Sequence, residues 1–222
     1  MSSTIIAYLG LLDGDEACGD ARGEEHLTRL AESVAAAYSE ECRIELISCG
    51  KSPRIELLRP GVWRRVLPLA GNPRTPWDAC SWELPAALID ADIVHLHDAY
   101  SRTSELALLI AKQQRKVVCL TDYGVAANWL TIELELAKLA DVVVCHSMEV
   151  ARKLAGWKNV EFLPADIELA WFGIPAEWPS PHFVSSTRPQ GVAVPHVYYP
   201  SLGRELQAIY AQALAGPQEV AA

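Results

Sequence analysis

Polar side chains that could do chemistry stand at the ends of three apolar runs in this sequence. Imidazole and carboxylate groups take part in proton transfer near neutral pH, whereas a tyrosine hydroxyl, with a pKa of about 10, is a poor general base. Residues of these types could transfer a proton or orient a hydroxyl group of a ligand. They are His95, His97, Asp98, Asp122, Tyr123, His146 and Ser147.

Of the two histidines that share a predicted strand, His97 is the better site candidate, because it lies nearer to the strand end. We expect His95 and His97 to point to opposite faces of the sheet, with His95 a hydrogen-bonded residue of the core. Asp98 is explained equally well as a turn or capping residue. Asp122 has the alternative of binding backbone N–H groups in its turn. His146 and its neighbour, which suits a helix N-cap, are interpreted as structural.

Spacing argues against several classes of site. The histidines and acids lack the HExxH pattern, and the six cysteines form neither a CxxC pair nor a zinc pattern, so no structural or catalytic metal is predicted. The sequence has no GxSxG nucleophile elbow, which disfavours a hydrolase. The glycine-containing segment 10–23 matches neither GxGxxG nor a P-loop.

The charge of the chain bears on its partners. The 222 residues carry a net charge of −9, which disfavours nucleic acid because phosphate backbones are repelled. The basic residues are scattered apart from one cluster, interpreted as a solvated strand face; a patch for a membrane surface or an anionic ligand is the alternative. The cluster consists of Arg54, Arg59, Arg64 and Arg65.

The location of the protein is predicted from two absences in the sequence. No apolar stretch is long enough to span a bilayer, so no transmembrane segment is expected. No charged leader precedes the first apolar run. A cytoplasmic protein with reduced thiols is therefore the expectation.

The candidate residues need a sheet to bring them together, and the sequence predicts one. Apolar runs that alternate with segments of helical period predict an α/β protein with a doubly wound parallel sheet in a single Rossmann-like domain. Ligands of such sheets bind at the carboxyl ends of the strands, where the candidate residues lie. The predicted strands are 4–9, 43–49, 93–97, 116–121, 142–145 and 160–163, with extended segments and a turn over 54–69; the predicted helices are 27–38, 77–88, 104–114 and 128–140.

Side-chain positions are predicted for two of these helices. Leu106, Leu109 and Ile110 fall on one face of the helix at 104–114, so we expect them to face the core. Ser101 and Thr103 compete as caps of this helix. His26 is expected to be exposed on the first turn of the earlier helix.

The composition changes after residue 163. Residues 164–200 hold half of the 14 prolines of the chain, together with six aromatic residues. Proline prevents a regular helix and the aromatic residues argue against a free linker, so a strap packed on the domain is predicted. The predicted organisation is a domain over 1–168, the strap over 169–200, a helix over 201–215 that packs back on the domain, and a frayed tail over 216–222.

Five segments resemble, in order, those of family-4 glycosyltransferases, and together they cover about residues 4–168. They are 20–34, 92–98 (Asp-Ile-Val-His-Leu-His-Asp), 118–124, 140–147 and 160–166. Segment 202–210 also resembles the terminal helix of that family, which crosses back onto the first domain. The resemblance implies the GT-B fold, in which an N-terminal Rossmann-like domain holds the acceptor and a C-terminal one holds the nucleotide-sugar. This chain resembles the acceptor-side domain with a strap in place of the donor domain.

The resemblance also implies roles for individual residues. Tyr123 stands where the family commonly has a histidine, and Gly23 is what remains of a paired glycine in the first loop of the family. Arg22 and Gly23 would face the donor phosphates. The acceptor pocket would be lined by His97, Asp98, Asp122 and Tyr123.

Three functions are consistent with these features. The first is the acceptor-side half of a sugar-transfer site for a carbohydrate or lipid-linked acceptor. A separate chain would supply the donor domain, and a nucleotide-sugar would be a co-substrate rather than a bound cofactor. The second is a non-catalytic relative that binds a carbohydrate, a nucleotide or a protein, and the third is an unrelated Rossmann-like enzyme. A domain without its usual companion exposes a face, so a homodimer or a heteromer is expected.

Overall fold

The computed structural model describes residues 3–10, 22–38, 42–74, 78–97, 101–122, 136–145, 160–162 and 199–216 of the chain. Within these ranges the strands are β1 (Thr4–Leu9), β2 (Cys42–Gly50), β3 (Arg54–Arg59), β4 (Val62–Pro68), β5 (Ile93–Leu96), β6 (Val117–Asp122), β7 (Val142–Cys145) and β8 (Val160–Phe162). The helices are α1 (Arg22–Ala37), α2 (Leu84–Ala87), α3 (Arg102–Gln113) and α4 (Tyr199–Ala215), and a short 3-10 helix covers Leu136–Leu139.

The eight described strands form one sheet in the order β3-β4-β2-β1-β5-β6-β7-β8. Neighbouring strands are parallel, except that β3 and β4 form an antiparallel hairpin around the turn at Pro60 and Gly61. The chain winds outward from β1 first through β2 and then through β5, so the winding reverses between β1 and β5. The prediction of a doubly wound α/β sheet is therefore confirmed.

Different helices cover the two faces of the sheet. Successive strand residues point to opposite faces, so Tyr8 and Ile93 face one core, whereas Leu9 and Val94 face the other. The first core includes buried residues of α1 and α4, and the second includes those of α2 and α3. Because the central strands are covered on both sides, their sequences are nearly continuous apolar runs.

The terminal helix α4 packs against α1 and the first core, where Leu202, Leu206 and Tyr210 are buried. Gly203 lies directly against Ser33: a Cβ at position 203 would come within 2.6 Å of the carbonyl carbon of Ser33 and 2.7 Å of its oxygen. Such distances are well inside van der Waals contact, so the two helices approach too closely for any side chain at this position.

Two predicted helices are found only in part, and the predicted strap lies almost entirely outside the described residues. The helix predicted over 77–88 is limited to Leu84–Ala87, where Pro85 occupies the first turn and fixes the backbone for a helix start. Of the helix predicted over 128–140, the described residues hold the 3-10 helix Leu136–Leu139. The predicted strap lies outside the described residues, apart from its last two positions, which begin α4.

Helix α3 differs from its prediction in the face that it buries. Ser101 caps the helix, because its hydroxyl accepts a hydrogen bond of 3.2 Å from the backbone N–H of Ser104. Leu106 and Ile110 pack half-buried against the second core, as expected, but Leu109 is 41% exposed. The fully buried hydrophobic residues of the helix are Ala107, Leu108 and Ala111. The predicted inward position of Leu109 was wrong.

Carboxylates accompany the basic cluster of the β3–β4 hairpin. Each of its four arginines lies within 4.0 Å of a carboxylate of Glu32, Glu45 or Glu56. The pair between Arg64 Nη1 and Glu56 Oε1, at 2.8 Å, is one of the shortest. These contacts agree with the interpretation of the cluster as a solvated strand face, because carboxylates of the same chain offset part of its charge.

Candidate functional site

His97 lies at the point where the winding of the sheet reverses. In doubly wound sheets, ligands bind outside the carboxyl ends of the strands at such a point. His97 follows β5 directly, and its backbone N–H donates a hydrogen bond of 2.7 Å to the carbonyl oxygen of Leu9, the last residue of β1. The backbone of His97 is therefore held between the ends of the two central strands.

The side chains of His95 and His97 lie on the same face of the sheet. Their ring centroids are 4.1 Å apart and the ring planes are inclined by 30°, which is a stacked arrangement. Residues two positions apart on a strand share a face, so the prediction that these two histidines point to opposite faces was wrong. Both residues are completely buried. They contribute to one cluster rather than to two separate environments.

Each nitrogen of the His95 ring is hydrogen-bonded to a hydroxyl group. Nε2 lies 2.7 Å from Oγ1 of Thr121 on the neighbouring strand β6, and Nδ1 is bonded to the hydroxyl of Tyr210 on α4. The Tyr210 hydroxyl is also hydrogen-bonded to that of Tyr8, at 2.9 Å. A neutral imidazole donates at one nitrogen and accepts at the other, so these groups form a directional chain. The prediction of His95 as a hydrogen-bonded core residue is confirmed.

His97 contacts a second ring of this chain. The centroid of the Tyr8 ring lies 4.5 Å from that of His97 and 5.3 Å from that of His95. The side chain of His97 is thus packed between β1 and its own strand. We name this group of side chains the histidine–tyrosine cluster; it consists of Tyr8, His95, His97, Thr121 and Tyr210.

The tyrosines of the histidine–tyrosine cluster serve as hydrogen-bonding groups rather than as bases. Burial raises the pKa of Tyr8 and that of Tyr210 well above the usual value of about 10. The cause is that a phenolate would have to lie in an apolar core. Both hydroxyls stay protonated in the neutral range, so among the side chains of the cluster the histidines are the groups suited to proton transfer.

His26 is 1% exposed, although the sequence predicted an exposed side chain. Its Nδ1 lies 2.9 Å from the hydroxyl of Tyr199, the first residue of α4, and the two ring centroids are 5.5 Å apart. The prediction was wrong because α4, which is remote in sequence, covers this face of α1. His26 therefore belongs to the contact between the two helices.

The remaining predicted site residues are described only in part. Arg22 and Gly23 form the first turn of α1, and Asp122 ends β6; the structure describes their backbone positions. Because α1 follows β1, its first turn lies toward the carboxyl edge of the sheet, on the side where His97 stands. The candidates that lie outside the described residues are Asp98, Tyr123, His146 and Ser147.

Sequence reasoning did not assign site roles to Tyr8, Thr121 and Tyr210. Tyr8 is an aromatic residue in an otherwise aliphatic strand, and Tyr210 lies on the apolar face of α4. A buried tyrosine needs a hydrogen-bond partner for its hydroxyl, so each residue carried a signal of a polar contact in the core. The identity of the partner could not be predicted, because Tyr8 and Tyr210 are 202 positions apart.

The described part of the chain contains no group of three or more histidine, cysteine, aspartate or glutamate side chains arranged to hold a metal ion. Among its helices, none combines the length and the apolar character needed to cross a bilayer. The site is therefore built, as far as it is described, from the histidine–tyrosine cluster and the first turn of α1.

Comparison with known proteins gives no matching family model and no matching curated protein. Among solved structures, a sucrose-phosphate synthase chain from Thermosynechococcus elongatus is similar to this one, with a TM-score of 0.51 and 14% sequence identity. The likeness spans 94% of this chain and 98% of that chain. The fold is thus Rossmann-like and similar to that of GT-B glycosyltransferases.

A second similar structure comes from Listeria monocytogenes and is assigned as a UDP-N-acetylglucosamine 2-epimerase. It has 14% sequence identity and a TM-score of 0.44, and the likeness covers 70% of this chain and 43% of that one. A TM-score this low supports no conclusion about either the fold or the function of this chain.

Proposed function

We propose that this chain is the acceptor-side half of a sugar-transfer system and that a separate chain supplies the half that holds the nucleotide-sugar. The observation that carries the proposal is the likeness over 98% of a sucrose-phosphate synthase chain. The likeness also covers 94% of this chain.

The packing of α4 supports the same proposal. In the expected family, a terminal helix crosses back onto the acceptor-side domain. Here α4 completes the first core and contributes Tyr210 to the histidine–tyrosine cluster. A terminal helix that is built into the core makes a domain that can fold without the donor half.

In this proposal the sugar acceptor lies at the carboxyl edge of the sheet, beside His97. The imidazole would accept a hydrogen bond or a proton from an acceptor hydroxyl once the ligand reaches it. Asp98, Asp122 and Tyr123 would complete the acceptor pocket. Arg22 and Gly23, on the first turn of α1, would face the phosphates of a nucleotide-sugar that the partner holds. The nucleotide-sugar is a co-substrate.

A second candidate function is binding of a carbohydrate, a nucleotide or a protein without turnover. The observation that favours it is the complete burial of His97, whose ring packs on those of His95 and Tyr8. A general base must come within hydrogen-bond distance of the proton that it removes. An imidazole that stays covered would hold the local structure of the edge instead of performing chemistry.

A thermal-shift screen of the purified chain tests the main proposal. The ligands are mono- and disaccharides with and without a phosphate group, free nucleotides, and nucleotide-sugars such as UDP-glucose. We expect a sugar to raise the Tm by about 5–10 °C at a hundredfold excess over its Kd, because it binds only the folded state. Nucleotide-sugars and nucleotides should leave the Tm unchanged.

Two variants sharpen the screen. His97→Gln should abolish the Tm shift that the sugar causes. Glu161→Gln, at an exposed position of β8, should leave that shift unchanged. A shift with a nucleotide-sugar alone would contradict the assignment of the donor site to another chain. If no sugar shifts the Tm, the acceptor-side proposal is wrong and binding of a protein partner becomes the question.

A further inference from the structure

We propose that Tyr210, on the terminal helix, is a positioning residue for His97 and acts through His95 and Tyr8. The proposal rests on the proposed function only in taking His97 as the residue that faces the ligand. The terminal helix would then be part of the site as well as part of the core.

One hydroxyl group on α4 makes two hydrogen bonds. The Tyr210 hydroxyl is bonded to Nδ1 of His95 and, at 2.9 Å, to the hydroxyl of Tyr8. These are the two rings that pack on His97, at centroid distances of 4.1 and 4.5 Å. A single group on α4 therefore ties together both rings that contact the candidate site residue.

Two hydrogen bonds limit the rotation of the His95 ring. Tyr210 holds Nδ1 from α4, and Thr121 holds Nε2 from β6, at 2.7 Å. Hydrogen bonds at both ring nitrogens fix the plane of the imidazole. His97 stacks on this ring with an inclination of 30°, so the orientation of His95 limits the orientation available to His97.

Packing alone does not require a hydroxyl at position 210. Leu202 and Leu206, on the same face of α4, enter the same core with aliphatic side chains. A buried hydroxyl is retained at low energy only where its hydrogen bonds are made. Tyr210→Phe keeps the ring in the core and removes only the group that reaches His95 and Tyr8.

The structure offers a matched control on the same helix. The hydroxyl of Tyr199 lies 2.9 Å from Nδ1 of His26 and is likewise a tyrosine–histidine contact between α4 and another element. Tyr199 contacts α1 through His26 and Ser33. Tyr199→Phe therefore removes a tyrosine–histidine hydrogen bond of α4 that does not involve the rings packed on His97.

The test is a spectrum of the histidine ring nitrogens, recorded for 15N-labelled samples of this chain and of the two variants. The chain has six histidines, whose ring signals report tautomer and environment. In Tyr210→Phe we expect the signals of both His95 and His97 to move and that of His26 to stay. In Tyr199→Phe the signal of His26 should move, and those of His95 and His97 should stay.

Several outcomes decide the matter. A folded Tyr210→Phe with unchanged His97 signals would overturn the proposal, as would Tyr199→Phe moving His97 equally. If Tyr210→Phe does not fold, Thr121→Val removes the other hydroxyl bonded to His95 and must move the same two signals. The readout needs no sugar, so a chain that shows the expected shifts yet binds no sugar would sink the proposed function and leave the positioning role standing.

Discussion

A hydroxyl group in the core of this protein connects three elements that are far apart in the sequence. Tyr210 on α4 is bonded to Tyr8 on β1 and to His95 on β5, and the chain of bonds continues to Thr121 on β6. Leaving one of these polar groups without its partner would destabilise the fold by about 1–3 kcal/mol. The groups therefore stabilise the protein as a set, and two of them, Tyr8 and His95, pack against His97.

The reactivity of the cysteines gives a prediction at the scale of single residues. Burial raises the pKa of the Cys119 thiol and that of Cys42 to about 12, and that of Cys49 to about 11. Because the thiolate is the reactive form, iodoacetamide at pH 8 should label Cys80, which is half-buried, well before Cys119, which is fully buried. Mass spectrometry of the peptides during labelling measures the order.

Two controls accompany the labelling. In denaturant all of these thiols should react at similar rates, because both burial and the raised pKa are lost. Labelling of Cys119 in the folded chain at the rate of Cys80 would contradict the packing of β6 against the first core. Since the raised pKa favours the thiol form, the rate at Cys49 should continue to rise as the pH increases from 8 toward 10.

Local sequence features could predict the position of His97 and its contact with His95, but not the link to Tyr210. The position of His97 at the end of a buried strand could be inferred from the sequence, because an apolar run and a polar end are local features. The contact between His95 and His97 was also within reach, since residues two apart on a strand share a face. The link to Tyr210 was not, because no local pattern specifies a contact across 115 positions.

The contact between α1 and α4 gives a prediction at the scale of elements. In an exposed helix, replacing glycine by alanine stabilises by about 1 kcal/mol. In α4 we expect Gly203→Ala to destabilise the protein by about 1–3 kcal/mol instead, because the new Cβ would overlap the backbone of Ser33, at 2.6 and 2.7 Å. Chemical denaturation of the two proteins measures the free energy of unfolding.

A second substitution tests the cause. Ser33→Ala removes the hydroxyl but leaves the backbone atoms in place, so it should not rescue Gly203→Ala. Rescue would mean that the clash is with the side chain alone, and an unchanged or increased stability of Gly203→Ala would show that α4 does not lie this close to α1.

The elements themselves were predictable to the extent that their patterns are local. Each apolar run predicted a strand, because strands buried on both faces contain few polar residues. Helix α3 was predicted with one wrong inward leucine, because the spacing did not reveal that Leu108 is buried and Leu109 exposed. His26 was misplaced for a related reason, because the helix that covers it comes 173 positions later in the chain.

At the scale of the whole molecule, the order of strands explains where a ligand would bind. The winding reverses between β1 and β5, and the ends of these strands meet at Leu9 and His97. The alternation of strands and helices predicted the class of sheet and the edge that carries polar residues. It could not predict how completely His97 is covered, because burial depends on the assembled core rather than on the position of a residue in its strand.

The central claim is that a sugar binds at the carboxyl edge of the sheet beside His97. Its most direct test is a titration of the 15N-labelled chain with the sugar that gives the largest thermal shift, followed through the backbone amide signals. If the sugar binds there, the perturbed signals will cluster at the ends of β1, β5 and β6, around Leu9, His97 and Asp122. Signals from the first turn of α1 will also be perturbed. Perturbations centred elsewhere, such as on the β3–β4 hairpin, or no saturable perturbation at all, would contradict it.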